Sequence, residues 1–158
     1  MPLITALLYT ENDGLRLGRA LETLYPCDEI LIVDHNSRDA TIRIALEYGA
    51  HIVTAKPGVP PVAYLANASG WFFCLSPRES LTEALAASLF EWKSAPAIPS
   101  ASAFSVLVRE ETNDGWIDLR TAQTRLVPIT WNRWHQGFPI AEPAAAILEG
   151  ELLRFALP

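Results

Sequence analysis

Through the first half of the chain, short apolar runs alternate with segments whose apolar residues recur every three or four positions. That alternation is the mark of βαβ units on a parallel sheet. Leu3 to Tyr9 reads as a strand, and Leu17, Ala20, Leu21 and Leu24 then trace one face of a helix that Pro26 ends. Glu29 to Asp34, apolar from Ile30 to Val33, has the pattern of a strand buried on both faces. A second helix, capped by Asn36 or Ser37, is expected to bury Ile42, Ala45 and Leu46 and to stop at Gly49. His51 to Thr54 is a third strand. The stretch Lys56-Pro57-Gly58-Val59-Pro60-Pro61 is a loop, because its prolines lack donors and restrict their predecessors. Ala63 to Ser69 reads as a short helix and Trp71 to Leu75 as a fourth strand. Ser80-Leu81-Thr82-Glu83 has the form of a capping box, opening a helix with Leu85, Leu89 and Trp92 on its inner side.

Past Trp92 the helical period is lost. Phe104 to Val108, Trp116 to Leu119 and Arg125 to Ile129 read as antiparallel strands, the first two joined by a turn at Asn113-Asp114-Gly115. At 158 residues the whole forms one domain, without internal repeats.

Composition narrows the picture. Half the residues are hydrophobic and 19% are charged, which suits a single packed core. A formal net charge of −6 argues against a basic face for duplex nucleic acid. Cys27 and Cys74 lack the spacing of a disulfide framework or a zinc site. The apolar start is cut short by Glu11-Asn12-Asp13, too soon for a signal peptide or a transmembrane segment, so a cytoplasmic location is expected.

Ligands of parallel sheets bind beyond the carboxyl ends of the strands. Thr10-Glu11-Asn12-Asp13-Gly14 has one glycine where a dinucleotide fold wants three, which argues against a Rossmann dehydrogenase. Asp34 ends an apolar strand, where a carboxylate can accept hydrogen bonds from a base or ribose. Capping alone would account for Asn36, Ser37 and Asp39.

Tyr9-Thr10-Glu11-Asn12-Asp13, then a helix, then Asp28-Glu29-Ile30-Leu31-Ile32-Val33-Asp34-His35-Asn36-Ser37-Arg38-Asp39-Ala40-Thr41, then Glu47-Tyr48-Gly49-Ala50, resembles the opening of a family 2 glycosyltransferase, nearest to the bacterial lipopolysaccharide-core type. The resemblance covers about the first 54 residues. It implies an α/β fold, a GT-A-like α/β/α sandwich with a mostly parallel sheet and a small antiparallel C-terminal part. Residues 1–92 would be the nucleotide-binding half and 93–158 the acceptor side. The partners implied are a nucleotide-diphospho-sugar, with Thr10, Asn12, Asp34 and Asn36 at its pocket, and a glycan or lipid-linked acceptor of the cell envelope.

The sequence departs from the family at several points. His35 and Asn36 replace an Asp and a Gly, and Pro60-Pro61 lies where relatives carry Lys-Asn. At the fourth strand Ser76 and Arg78 stand in place of two metal-binding aspartates, leaving Glu79 as the carboxylate. No metal site is therefore expected, although the family uses Mg²⁺ or Mn²⁺ against the diphosphate. Either Arg78 takes over part of the metal's task by pairing with phosphate oxygens, or it is a solvated residue near a helix start. In the second case the protein is a pseudoenzyme that binds without transferring, its cleft filled by Trp71, Phe73 or the proline loop.

The acceptor side resembles the family loosely. Thr124-Arg125-Leu126-Val127, Trp131, Trp134 and His135-Gln136 stand for its Arg-Leu-Phe-Arg, aromatic and His-Glu stretch. Glu142 is the candidate for the base that deprotonates the acceptor, with His135 second. The alternative has Trp131 and Trp134 packing over the sheet edge and Glu142 in solvent.

Overall fold

The computed structural model describes residues 2–66, 69–95 and 102–158. β1 (Ile4–Thr10), β2 (Glu29–Asp34), β3 (His51–Thr54) and β4 (Trp71–Cys74) form a parallel array in the order β3-β2-β1-β4. Side chains alternate as the two-residue period requires. Ile4, Ala6, Leu8, Ile32 and Phe73 enter one core, and Leu7, Leu31, Val33, Phe72 and Cys74 enter another on the opposite face.

The helices α1 (Leu17–Glu22), α2 (Thr41–Glu47) and α3 (Glu83–Ser94) all contribute to the first core. On the other face, the described residues that cover the sheet include a single 3-10 turn at Pro61–Tyr64 and the segment from Ile129 to Phe138. Of the short helix expected at Ala63 to Ser69, the described residues show only the end of that turn, and residues 67 and 68 lie outside them.

Two helix starts differ from expectation. α2 begins at Thr41 rather than after Asn36 or Ser37, and its inner positions are Thr41, Ile44, Ala45 and Tyr48, while Leu46 is exposed. The cap of α3 is Thr82, whose hydroxyl accepts from the Leu85 amide. Ser80 instead lies in β5 (Glu79–Leu81), which pairs antiparallel with β11 (Ala146–Arg154). Gly49 closes α2 as expected, with the Gly49 and Ala50 amides bonded to the carbonyls of Leu46 and Ala45.

The C-terminal strands join the same sheet. β8 (Gln123–Pro128) pairs antiparallel with β4 and with β6 (Phe104–Thr112), and β7 (Gly115–Asp118) forms the expected hairpin with β6. β11, which the sequence pattern did not disclose, lies parallel to β6. A register shift between Ile147 and Glu151 marks a bulge containing Gly150, at φ +91°. A Cβ there would stand 2.2 Å from the Leu85 amide nitrogen, so the bulge lets the start of α3 seat against β11. A separate two-stranded hairpin, β9 (Trp134–His135) and β10 (Phe138–Pro139), turns at Gln136-Gly137 with φ of +49° and +81°. Among the described residues no helix is long and apolar enough to cross a membrane.

Candidate functional site

The carboxyl ends of β1 and β2 carry Thr10 and Asp34 side by side. Asp34 is buried, and both its oxygens are occupied. Oδ1 accepts from the hydroxyls of Thr10 and Ser37, each at 2.6 Å, and Oδ2 accepts from the Ser37 amide at 2.8 Å. Asn12, in the left-handed region at φ +52°, donates its amide to Ser37 Oγ and accepts from the Arg38 amide. Asp39 completes the arrangement by accepting from the Gly14 amide, and the hydroxyl and amide of Thr41 hold its carboxyl below the usual carboxylate range. Thr10, Asn12 and Asp34 are thus brought together as the network that ties the two loops, rather than as an exposed surface.

Beside this network opens a cleft of about 630 Å³. Tyr9, His35, Asn36, Lys56, Tyr64 and Gln136 line it, and the Tyr9 and His35 rings lie 6.2 Å apart. Burial, with Tyr64 and Cys74 nearby, pushes the Tyr9 phenol up to about 12. The β9–β10 hairpin overhangs this cleft. At Gly137 a Cβ would stand 2.7 Å from the Tyr9 ring, so the position admits no side chain without displacing it.

A second cleft, of about 830 Å³, lies on the other side of Gln136, at the end of β4. Arg78, Arg125, Arg154 and His135 line it with Phe138, and no carboxylate does. The arginines are organised by Glu79, whose side chain is 0% exposed. Arg125 pairs with it bidentately at 2.7 and 2.9 Å, Arg154 donates to Oε2 through Nε and Nη2, and the Ser76 amide donates to Oε1 at 2.7 Å. Arg125 also donates to the Cys74 carbonyl and to Gln123, and lies 4.6 Å over the Phe138 ring. Arg154 reaches Glu110. Burial alone would raise the Glu79 pKa, yet Arg125, the Ser76 amide and Arg154 together hold it below the usual range.

A divalent cation does not fit this edge. Ser76 Oγ accepts from the Arg78 amide, both Glu79 oxygens are committed to guanidiniums, and Arg78 itself is a cation. Among the described residues no three His, Cys, Asp or Glu side chains gather as a metal would require.

Of the two residues expected to act on an acceptor, His135 is exposed along the second cleft. Glu142 does not line it: its carboxylate pairs with Arg133 at 3.0 Å and its amide donates to Thr124. Trp131 is buried over the sheet, Trp134 meets Phe72 edge-on, and their indole N–H groups donate to the carbonyls of Arg133 and Trp131. Trp71 and Phe73 pack in the helix-side core and line neither of these two clefts. The residues that sequence reasoning passed over are Arg154, Gln123 and Glu110. Ile147 to Arg154 offered a strand signal, but one interrupted by Gly150.

No protein-family model matches the chain, and no curated protein does. Solved structures do. A mycobacterial protein superposes with a TM-score of 0.50 at 14% identity, over 71% of this chain and 43% of that one. Mannosyl-3-phosphoglycerate synthase from Rubrobacter xylanophilus gives 0.49 at 16%, over 70% and 40%. Glucosyl-3-phosphoglycerate synthase from Mycobacterium tuberculosis gives 0.48 at 16%, over 72% and 46%. The chain spans less than half the length of these structures. The likeness is one of fold, α/β as the sequence predicts, and nothing about substrate travels with it.

Proposed function

We propose that the chain binds a nucleotide-diphospho-sugar along the carboxyl edge of its parallel strands, as a relative of the family 2 glycosyltransferases of lipopolysaccharide-core type. The observation that supports this most is the pairing of two clefts across Gln136, one lined by aromatic rings and Asn36, the other walled by three arginines. Rings suit a base, and guanidiniums suit phosphate oxygens. Thr10, Asn12 and Asp34 act by fixing the loops that carry His35 and Asn36. With a sugar in the second cleft, His135, which lines it, takes the proton from the hydroxyl of a glycan or lipid-linked acceptor, whereas Glu142 would first have to leave Arg133.

A second reading, binding without transfer, is favoured by one observation: no carboxylate opens into the arginine-lined cleft. Calorimetric titration with UDP, GDP, CMP and their sugar conjugates, with product analysis of the same mixtures, tests both. Saturable binding with release of nucleotide supports transfer, and binding without turnover supports the second reading. Absence of binding at millimolar concentration ends both.

A further inference from the structure

Glu79 accepts five N–H hydrogen bonds, four of them from guanidiniums. A metal ion could reach it only by displacing Arg125, a buried cation whose loss of partner is costly. The same contacts dispose the arginines unequally. Arg125 spends its terminal nitrogens on Glu79, Gln123 and the Cys74 carbonyl. Arg154, part-exposed, has Nη1 bonded to Glu110 and a second hydrogen on that nitrogen. Arg78 is exposed, and its guanidinium makes one long bond, 3.3 Å from the carbonyl of Ala156.

The backbone of Arg78 is nonetheless fixed, because its carbonyl accepts from the Phe155 amide at 2.9 Å. Phe155 is in turn held between Arg19, 3.8 Å above its ring, and the edge of Trp116 at 5.2 Å. Arg125 and Arg154 pair with the two carboxylates Glu79 and Glu110, and with Arg78 beside them the cluster keeps an excess positive charge facing the cleft.

We infer that this cluster is a diphosphate site that works without a divalent cation: Arg78 and Arg154 contact the phosphate oxygens, Arg125 forms the fixed wall behind them, and Glu79 is a positioning residue that orients the arginines instead of ligating a metal. The inference rests on the nucleotide-sugar reading above and deepens it. Charge-assisted hydrogen bonds from two guanidiniums replace the charge that a cation would supply. Arg78 leaves the Ala156 carbonyl when the anion binds.

The test is calorimetric titration of the full chain with inorganic pyrophosphate, in EDTA and in excess Mg²⁺. The wild type, Arg78→Ala, Arg154→Gln and, as a surface control, Arg43→Ala on α2 are compared, with UDP, GDP and CMP in parallel. The expected result is binding in EDTA that Mg²⁺ does not strengthen, weakened about tenfold or more by Arg78→Ala, several-fold by Arg154→Gln and not by Arg43→Ala. Thermal melts of each variant establish that it is folded. Binding that requires Mg²⁺, no pyrophosphate binding, or Arg78→Ala binding like wild type would overturn the inference, while retained nucleotide binding would leave the broader reading standing. If neither pyrophosphate nor any nucleotide binds with or without Mg²⁺, both fall.

Discussion

Replacing Glu79 by glutamine would preserve the side chain's shape but leave the buried Arg125 facing a neutral amide. Removing one partner of a buried pair costs about 3–5 kcal/mol, so Glu79→Gln should lower stability by that order in urea denaturation, and a loss under about 1 kcal/mol would show that the pair is not structural. The pH dependence has a definite sign. The folded Glu79 pKa lies below that of the unfolded chain, so its stabilisation is complete above about pH 4.3 and is lost as pH falls through the folded value. Wild-type stability should therefore drop more steeply on acidification below pH 4.3 than that of Glu79→Gln. At this scale the sequence shows Glu79 as the carboxylate left in Ser-Pro-Arg-Glu. Its partners lie 46 and 75 residues away, beyond any local pattern.

Among the elements, the parallel strands were legible as short apolar runs between helical segments, most clearly β2, whose run from Ile30 to Val33 is unbroken, although β2 lies next to the edge strand β3. β11 was not, because Gly150 interrupts it and of its nine residues Leu152 is the one fully buried. The cap of α3 was misplaced by two residues because β5 claims Ser80 for pairing with Leu153 of β11. Both glycine sites carry predictions. Gly150→Ala should cost about 3 kcal/mol, since backbone rather than a flexible side chain blocks the new Cβ. Gly137→Ala should cost less, about 1–2 kcal/mol, because the Tyr9 ring can move, yet it should weaken nucleotide binding several-fold by lifting the hairpin. Denaturation and titration of the two variants check this order. Equal losses of stability without any change in affinity would detach the hairpin from the site.

Over the whole molecule, a net charge of −6 coexists with a cleft walled by arginines, so the composition that argues against a nucleic-acid face conceals a local cluster of positive charge. The resemblance in the opening residues points to the edge of the sheet at which both clefts open. It could not show that Asp34 is consumed by its own loop, nor that β8 and β11 bring Arg125 and Arg154 to Glu79. The central claim is that this edge is where nucleotide binds, and amide chemical-shift mapping of the ¹⁵N-labelled chain with UDP, GDP and CMP in turn tests it most directly. The account predicts that at least one of them shifts the amides of Ser76, Arg78, Gln136 and Gly137 in a saturable manner. No shifts at millimolar nucleotide, or shifts confined to the opposite edge around Asp28 and His51, would contradict it.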